Sequence, residues 1–215
     1  MYLCWLVNRP IPDQKILKQR NIKKFMKSIP NFAWMLAAVL IVNTSAAQKM
    51  ARNEKTVEVG GAPMFPSKNI VENALNSRDH TTLVAAVKAA GLVETLQTPG
   101  PFTVFAPTND AFDLLPKGTV ETLVKPENKA TLTNILTYHV IAGKLDSKTI
   151  AKMIKDGNGT AELTTVAGGK LWVMMKGNKI VIKDEKGGMS TISTKDVYQS
   201  NGIIHVVDHV FLPKA

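Results

Sequence analysis

Two stretches, FTVFAPTNDAF (Phe102 to Phe112) and NGIIHVVDHVFLP (Asn201 to Pro213), decide the fold of this 215-residue chain. The first reads as a buried strand, Phe102 to Ala106, broken at Pro107. Thr108, Asn109 and Asp110 then offer side-chain oxygens and a negative charge where a following helix, expected over Asp110 to Leu115, exposes free N–H groups. The second stretch is a nearly unbroken apolar strand, expected over Ile203 to Leu212. The 88 residues between them suffice for the other elements of one compact domain.

Outward from these stretches the hydrophobic period changes once. Before Phe102, Ile70, Val71, Ala74 and Leu75 mark one short helix face, and Leu83, Val84, Ala86, Val87 and Ala90 mark a second that Gly91 ends; Asp79 or Thr81 is the expected cap of its start. Pro126 opens another helix with Ala130, Leu132, Ile135 and Leu136 on its core side, and a further one runs from Ser147 to Lys155. Alternation then takes over. Ala161 to Val166, Leu171 to Met175 and Ile180 to Lys183 read as strands joined by the Gly168-Gly169 and Gly177-Asn178 turns. Helices grouped early and antiparallel strands grouped late make an α+β domain, with bounds 69–215.

The net charge of +10 is unevenly placed, since residues 1–47 hold seven Lys/Arg against the single acid Asp13. Lys23, Lys24 and Lys27 precede the apolar run Phe32 to Val42, and small residues follow at Ser45 and Ala47, the pattern of an export signal cleaved after Ala47. The run falls short of the roughly 18 to 20 residues that cross a bilayer, so no stable membrane insertion is expected after cleavage. A start at Met26 would give a signal peptide over 26–47 and make 1–25 an upstream extension. Residues 48–68, rich in charge, Gly and Pro, read as a flexible arm whose end rests on the domain through Met64 and Phe65. The sole cysteine, Cys4, lies in the leader, so the exported domain depends on its core rather than on disulfides.

Three ordered motifs now carry a resemblance. FTVFAPTNDAF, the Tyr138-His139 pair in LTYHV, and NGIIHVVDHVFLP together resemble the bacterial single-domain fasciclin family, with LVAAVKAAGLVETL and DVYQSNGIIHV also similar, over roughly Val57 to Pro213. The resemblance implies a β-wedge or sandwich of about seven strands with several helices packed on it. It also implies an exported, cofactor-free module that mediates adhesion by contacts with an extracellular or cell-surface protein or polysaccharide, in the periplasm, outside the cell or on its surface. In animal relatives an Asp-Ile pair before the second motif is implicated in integrin recognition; the matching residues are Asp196 and Val197, in the different context KDVYQSNG. The Tyr138-His139 pair is expected to brace the domain and border its interaction surface. The places to look are therefore Thr108, Asn109, Asp110, Tyr138, His139, the Asp196-Val197-Tyr198 edge and His205.

Each of these has a plain structural reading as well. Thr108, Asn109 and Asp110 can be caps, or an exposed contact loop. His205 and His209, four apart, would share a metal on a helix, but on a strand they stand about 13 Å apart on a line, far beyond the ~2 Å a zinc ligand needs. No metal is expected. No nucleophile-elbow G-x-S-x-G occurs and no partner stands in context beside a histidine, so no enzyme is expected. The alternation puts Trp172 and Met174 on one strand face, expected to pack in the core; exposed instead, that face would suit a carrier of an apolar small ligand such as a pigment or lipid. The lysines after residue 143 are scattered among acids without aromatic interleaving, so nucleic acid is not an expected partner.

Overall fold

The computed structural model describes residues 54–214. The expected leader over 1–47, with its extension 1–25 and signal peptide 26–47, lies outside the described residues. Strands β1 (Val57–Val59) and β2 (Ala62–Met64) are followed by helices α1 (Ile70–Ala74), α2 (Thr81–Ala90) and α3 (Val93–Gln97), then β3 (Phe102–Pro107). Next come α4 (Asn109–Asp113), α5 (Thr119–Leu123), α6 (Lys129–Tyr138), β4 (Val140–Ala142) and α7 (Ser147–Asp156). Strands β5 (Thr160–Thr164), β6 (Lys170–Lys176), β7 (Lys179–Lys183), β8 (Met189–Gln199) and β9 (Gly202–Val207) complete the domain. Seven strands form one sheet in the order β4-β3-β9-β8-β7-β6-β5.

The two diagnostic stretches are neighbours. β3 and β9 pair in parallel, Phe102 opposite Gly202 through Pro107 opposite Val207, while every other pairing in the sheet is antiparallel. Both strands are buried on both faces, which is why they read as continuous apolar runs. Their alternation divides the core in two. Val104, Ala106, Ile204 and Val206 face the helices α1, α2 and α6, whereas Phe105 and Val207 face a second cluster built from β5–β7 and α7. On α7, Ser147, Ile150 and Ile154 recur at the helical period and turn inward.

Asn201 and Gly202 hold this arrangement at its start. The Asn201 carboxamide accepts from the Ile70 N–H at 3.0 Å and donates to the Leu96 and Thr98 carbonyls at 2.7 and 3.1 Å, joining α1 and α3 to the head of β9. At position 202 a Cβ would stand 2.2 Å from the Phe102 carbonyl oxygen, so only glycine lets β9 approach β3 there.

Several expectations change. From Val57 to Met64 the expected flexible arm is a hairpin turned by Gly60 and Gly61, both at positive φ, with Val59 and Met64 in the core. The longest strand, β8, is not among the expected strands, because its polar-rich sequence MSTISTKDVYQ carries no continuous apolar run. The final strand ends at Val207 rather than Leu212, where the chain turns under the Asp208 carboxylate, which accepts from Thr191 N–H at 2.7 Å. Trp172 and Met174 do not fill the core: Leu171 and Val173 do, so the same alternation sends Trp172 and Met174 to the outer face, where they are half-buried. Neither Asp79 nor Thr81 caps α2, whose N-cap position is His80 without a side-chain bond.

Replacing Gly202 by Ala is expected to lower unfolding stability by about 2–4 kcal/mol, because backbone rather than a movable side chain blocks the methyl group. Urea denaturation checks this; an unchanged midpoint would mean that the β3–β9 approach is looser than described.

Candidate functional site

The three groups of residues singled out by the sequence occupy three places. After β3, Thr108 caps its own helix, its Oγ1 accepting from Ala111 N–H at 3.3 Å. Asn109 caps a different one: its Oδ1 accepts from Thr82 N–H at 3.0 Å and from the Thr81 hydroxyl at 3.2 Å, while Nδ2 donates to the Arg78 carbonyl at 2.8 Å. The missing cap of α2 is therefore supplied from α4, across the fold. Asp110 is exposed in the first turn of α4.

Tyr138 and His139 end α6 and are buried. The Tyr138 hydroxyl donates to the Lys170 carbonyl at 2.7 Å and accepts from Glu185 N–H at 3.1 Å; burial pushes its pKa up to about 12. The His139 Nδ1–H donates to the Ile135 carbonyl at 2.8 Å, and Nε2 accepts from Phe211 N–H at 2.9 Å. This pair of bonds sets a neutral tautomer, and burial holds its pKa down at about 4. The ring stacks on Phe211 at 4.8 Å, Phe211 meets Phe105 edge-on at 5.7 Å, and Phe105 stacks on His205 at 5.8 Å. A buried aromatic string thus joins the histidines of the second and third motifs.

His205 is the far end of that string. Its Nε2–H donates to the Leu145 carbonyl at 2.8 Å and its Nδ1 accepts from Asp196 N–H at 3.3 Å; burial lowers its pKa. His209 stands beyond the end of β9, half-exposed, with its ring on the neighbouring Asp208 at 2.9 Å. The two rings thus belong to different environments, one inside and one at the surface. Among the described residues no group of three or more His, Cys, Asp or Glu side chains is placed to hold a metal ion.

The third group lies where β8 is irregular. Between Ile192 and Val197 the pairing of β8 with β9 shifts register twice, and Asp196 takes a positive φ of 59° in the second bulge. That conformation turns its carboxylate onto the start of α7: Oδ1 accepts from Ser147 N–H at 2.6 Å and Oδ2 from the Ser147 hydroxyl at 2.5 Å. Asp146, the N-cap of α7, accepts from Thr149 N–H at 2.8 Å, and this bond holds its carboxyl below the usual range. Val197, next in sequence, is 1% exposed and packs with Val104, Ile204 and the helical core. Tyr198 points the other way. It is 39% exposed, its hydroxyl 3.4 Å from Asp146 Oδ2 and its ring centroid 5.3 Å from Lys144 Nζ.

Several features meet at this last place. A rigid bulge, a clamped helix start, an exposed aromatic ring and charges of both signs converge there. Lys144, Asp146 and Ser147 were not singled out in the sequence; the Asp-Ser step before the amphipathic run SKTIAKMIKD was a readable helix-start signal for Asp146. The Ser147 hydroxyl is given to Asp196, and both nitrogens of His139 and of His205 are engaged with backbone groups.

The chain is similar to several known proteins. A family model described as Fasciclin domain matches residues 78–213. The Synechocystis protein sll1483 is 44% identical over 182 residues, covering 85% of this chain and 94% of the relative. Transforming growth factor-beta-induced protein ig-h3 of Sus scrofa is 33% identical over 150 residues, which are 70% of this chain and 20% of that protein. The solved FAS1 domain pair of the insect cell adhesion molecule fasciclin I is 24% identical with a TM-score of 0.48, covering 60% of this chain and 43% of that one.

His139 gives the stability of the domain a defined pH dependence. The unfolded histidine titrates near 6.5 and the folded one near 4, so between these values the unfolded chain binds more protons. The contribution is fully present above pH 6.5, declines as pH falls, and levels off below 4, a loss of about 3 kcal/mol. His80 and His205, also lowered by burial, act in the same direction. Urea midpoints are expected to be lower at pH 4.5 than at pH 7.5, with a shallower slope for His139→Gln; an identical slope in that variant would remove His139 from the account.

Proposed function

Because the chain belongs to the fasciclin family, we propose that it is an exported binding module that mediates cell-surface or extracellular-matrix adhesion, with the Asp146–Tyr198 edge as its contact surface. The observation that carries the reading is Tyr198, an exposed ring fixed between Lys144 and Asp146 on a bulge that Asp196 ties to α7. An aromatic side chain already held in place loses little conformational freedom on binding, and its flat apolar face with a polar tip suits either a protein side chain or the C–H face of a sugar. The charges around it would orient the partner rather than supply most of the affinity.

The two members of the Asp196-Val197 pair then have different roles. Val197, closed inside the core, acts on binding only by holding the bulge in shape. Asp196 spends its oxygens on Ser147 and sets the position of Tyr198. The partner would be an extracellular or cell-surface protein or polysaccharide, met in the periplasm, outside the cell or on its surface. Export itself is checked by sequencing the N-terminus of protein taken from the native source, which should begin at Gln48.

Binding of the purified protein to its own cells and to their surface polymers tests the surface. Tyr198→Ala is expected to weaken binding at least ~10-fold with the melting temperature unchanged, as for an exposed aromatic anchor. Val197→Ala should lower stability by about 1–3 kcal/mol and leave the affinity of the folded fraction unaltered. Normal binding by Tyr198→Ala would move the contact surface elsewhere on the domain.

A further inference from the structure

The domain has room for a small molecule away from the outer Trp172/Met174 face. The free space lies on the opposite side of the β3–β9 pair, in a cleft between the helices α1, α2 and α3 and the elements β3 and α6, enclosing about 90 Å³. Its walls are almost wholly carbon, from side chains such as Val71, Val84, Leu96, Phe102, Leu136 and Val166. Of the polar groups that reach it, the Thr137 hydroxyl donates to the Thr133 carbonyl and His139 is bonded through both ring nitrogens, while Thr95 is exposed to solvent. Water needs two to four polar partners to reside in a cavity, so this one is suited to an apolar guest.

Size and charge narrow the guest. Apolar cavities of about 150 Å³ admit a benzene ring, and a smaller one accommodates the end of a single alkyl chain better than a ring system. Among the described residues Lys88 is the one charged side chain in the lining; it is exposed at the mouth, and no carboxylate pairs with it. A second ammonium is close by. Lys129 Nζ lies 3.2 Å from where a Cβ on Gly91 would stand, at the end of α2 that carries Lys88. A cleft with a carbon interior and the Lys88 cation at its rim matches a molecule with an alkyl tail and an anionic head.

We infer that this cleft binds a single-chain anionic amphiphile, with the end of its alkyl chain between α2 and β3 and its head group at Lys88. The site is separate from the Tyr198 surface: one lies against the helical half of the core, the other at the start of α7. Either can be correct without the other.

Titration calorimetry with straight-chain carboxylates from hexanoate to dodecanoate, below their micelle concentrations, tests the inference. Saturable one-to-one binding is expected, tightening about fourfold per added methylene until the cleft is filled, as burial of each CH2 requires. Decyltrimethylammonium, with an equal-length tail and the opposite charge, should bind at least ~10-fold more weakly than decanoate, and Lys88→Glu should reverse that preference. Val84→Trp, which fills the cleft from its partly exposed rim, should abolish binding of both. Should that variant misfold, amide shifts of the unaltered protein decide instead, since decanoate should move Val84, Val93 and Leu96 and leave Tyr198, Trp172 and Met174 in place. Absence of saturable binding, indifference to head-group charge, or shifts centred on Trp172 would each overturn the inference. Tyr198→Ala should bind decanoate normally, which separates this test from that of the adhesion surface.

Discussion

Every other feature of the domain depends on the parallel contact between β3 and β9. These strands lie far apart in sequence, and their pairing is the one non-antiparallel step in the sheet. It requires a backbone approach that only Gly202 permits and an anchor, Asn201, that satisfies groups of α1 and α3 at the same point. Once the two strands are side by side, their alternation creates two cores from one pair of sequences. The helices collect on one side, and the hairpin strands with α7 collect on the other.

The histidines illustrate how that frame handles polar groups. His139 and His205 are both buried, both neutral and both bonded to backbone at each nitrogen, and Phe211 and Phe105 fill the space between them. A buried imidazole in such a position costs little because each donor and acceptor is met. Their presence in the motifs is thus explained by the irregular backbone they satisfy: the turn into α7 at Leu145, the bulge at Asp196 and the exit of the chain at Phe211.

The bulge in β8 shapes the edge beside the start of α7. Two register shifts within one strand turn Asp196 into a left-handed conformation, bury Val197 and leave Tyr198 outward, so three consecutive residues have three different fates. Such a segment is hard to read from sequence, since its pattern is neither alternating nor helical. The longer helices α2, α6 and α7 and the hairpins of β5 to β7 were legible because local chemistry dictates them: Gly91 takes the left-handed cap of α2, and Leu171 and Val173 alternate with Trp172 and Met174; the short α3 and α5 and the β1–β2 hairpin were not. Which side of that alternation faces inward was not legible, for a period of two names the faces without choosing between them.

From the sequence alone came the α+β class, the two central strands, the caps at Thr108 and Gly91, and the family to which the motifs point. These follow from turn chemistry, hydrophobic period and motif order, all of which act over a few residues. The tertiary structure alone decided that Asn109 caps a helix other than its own, that Asp196 reaches across to Ser147, that Val197 is buried, and that an apolar cleft lies beside Lys88. Each of those depends on groups brought together from distant positions. The reason is physical: hydrogen bonds and cavities are properties of pairs of surfaces, and a single segment specifies only its own half.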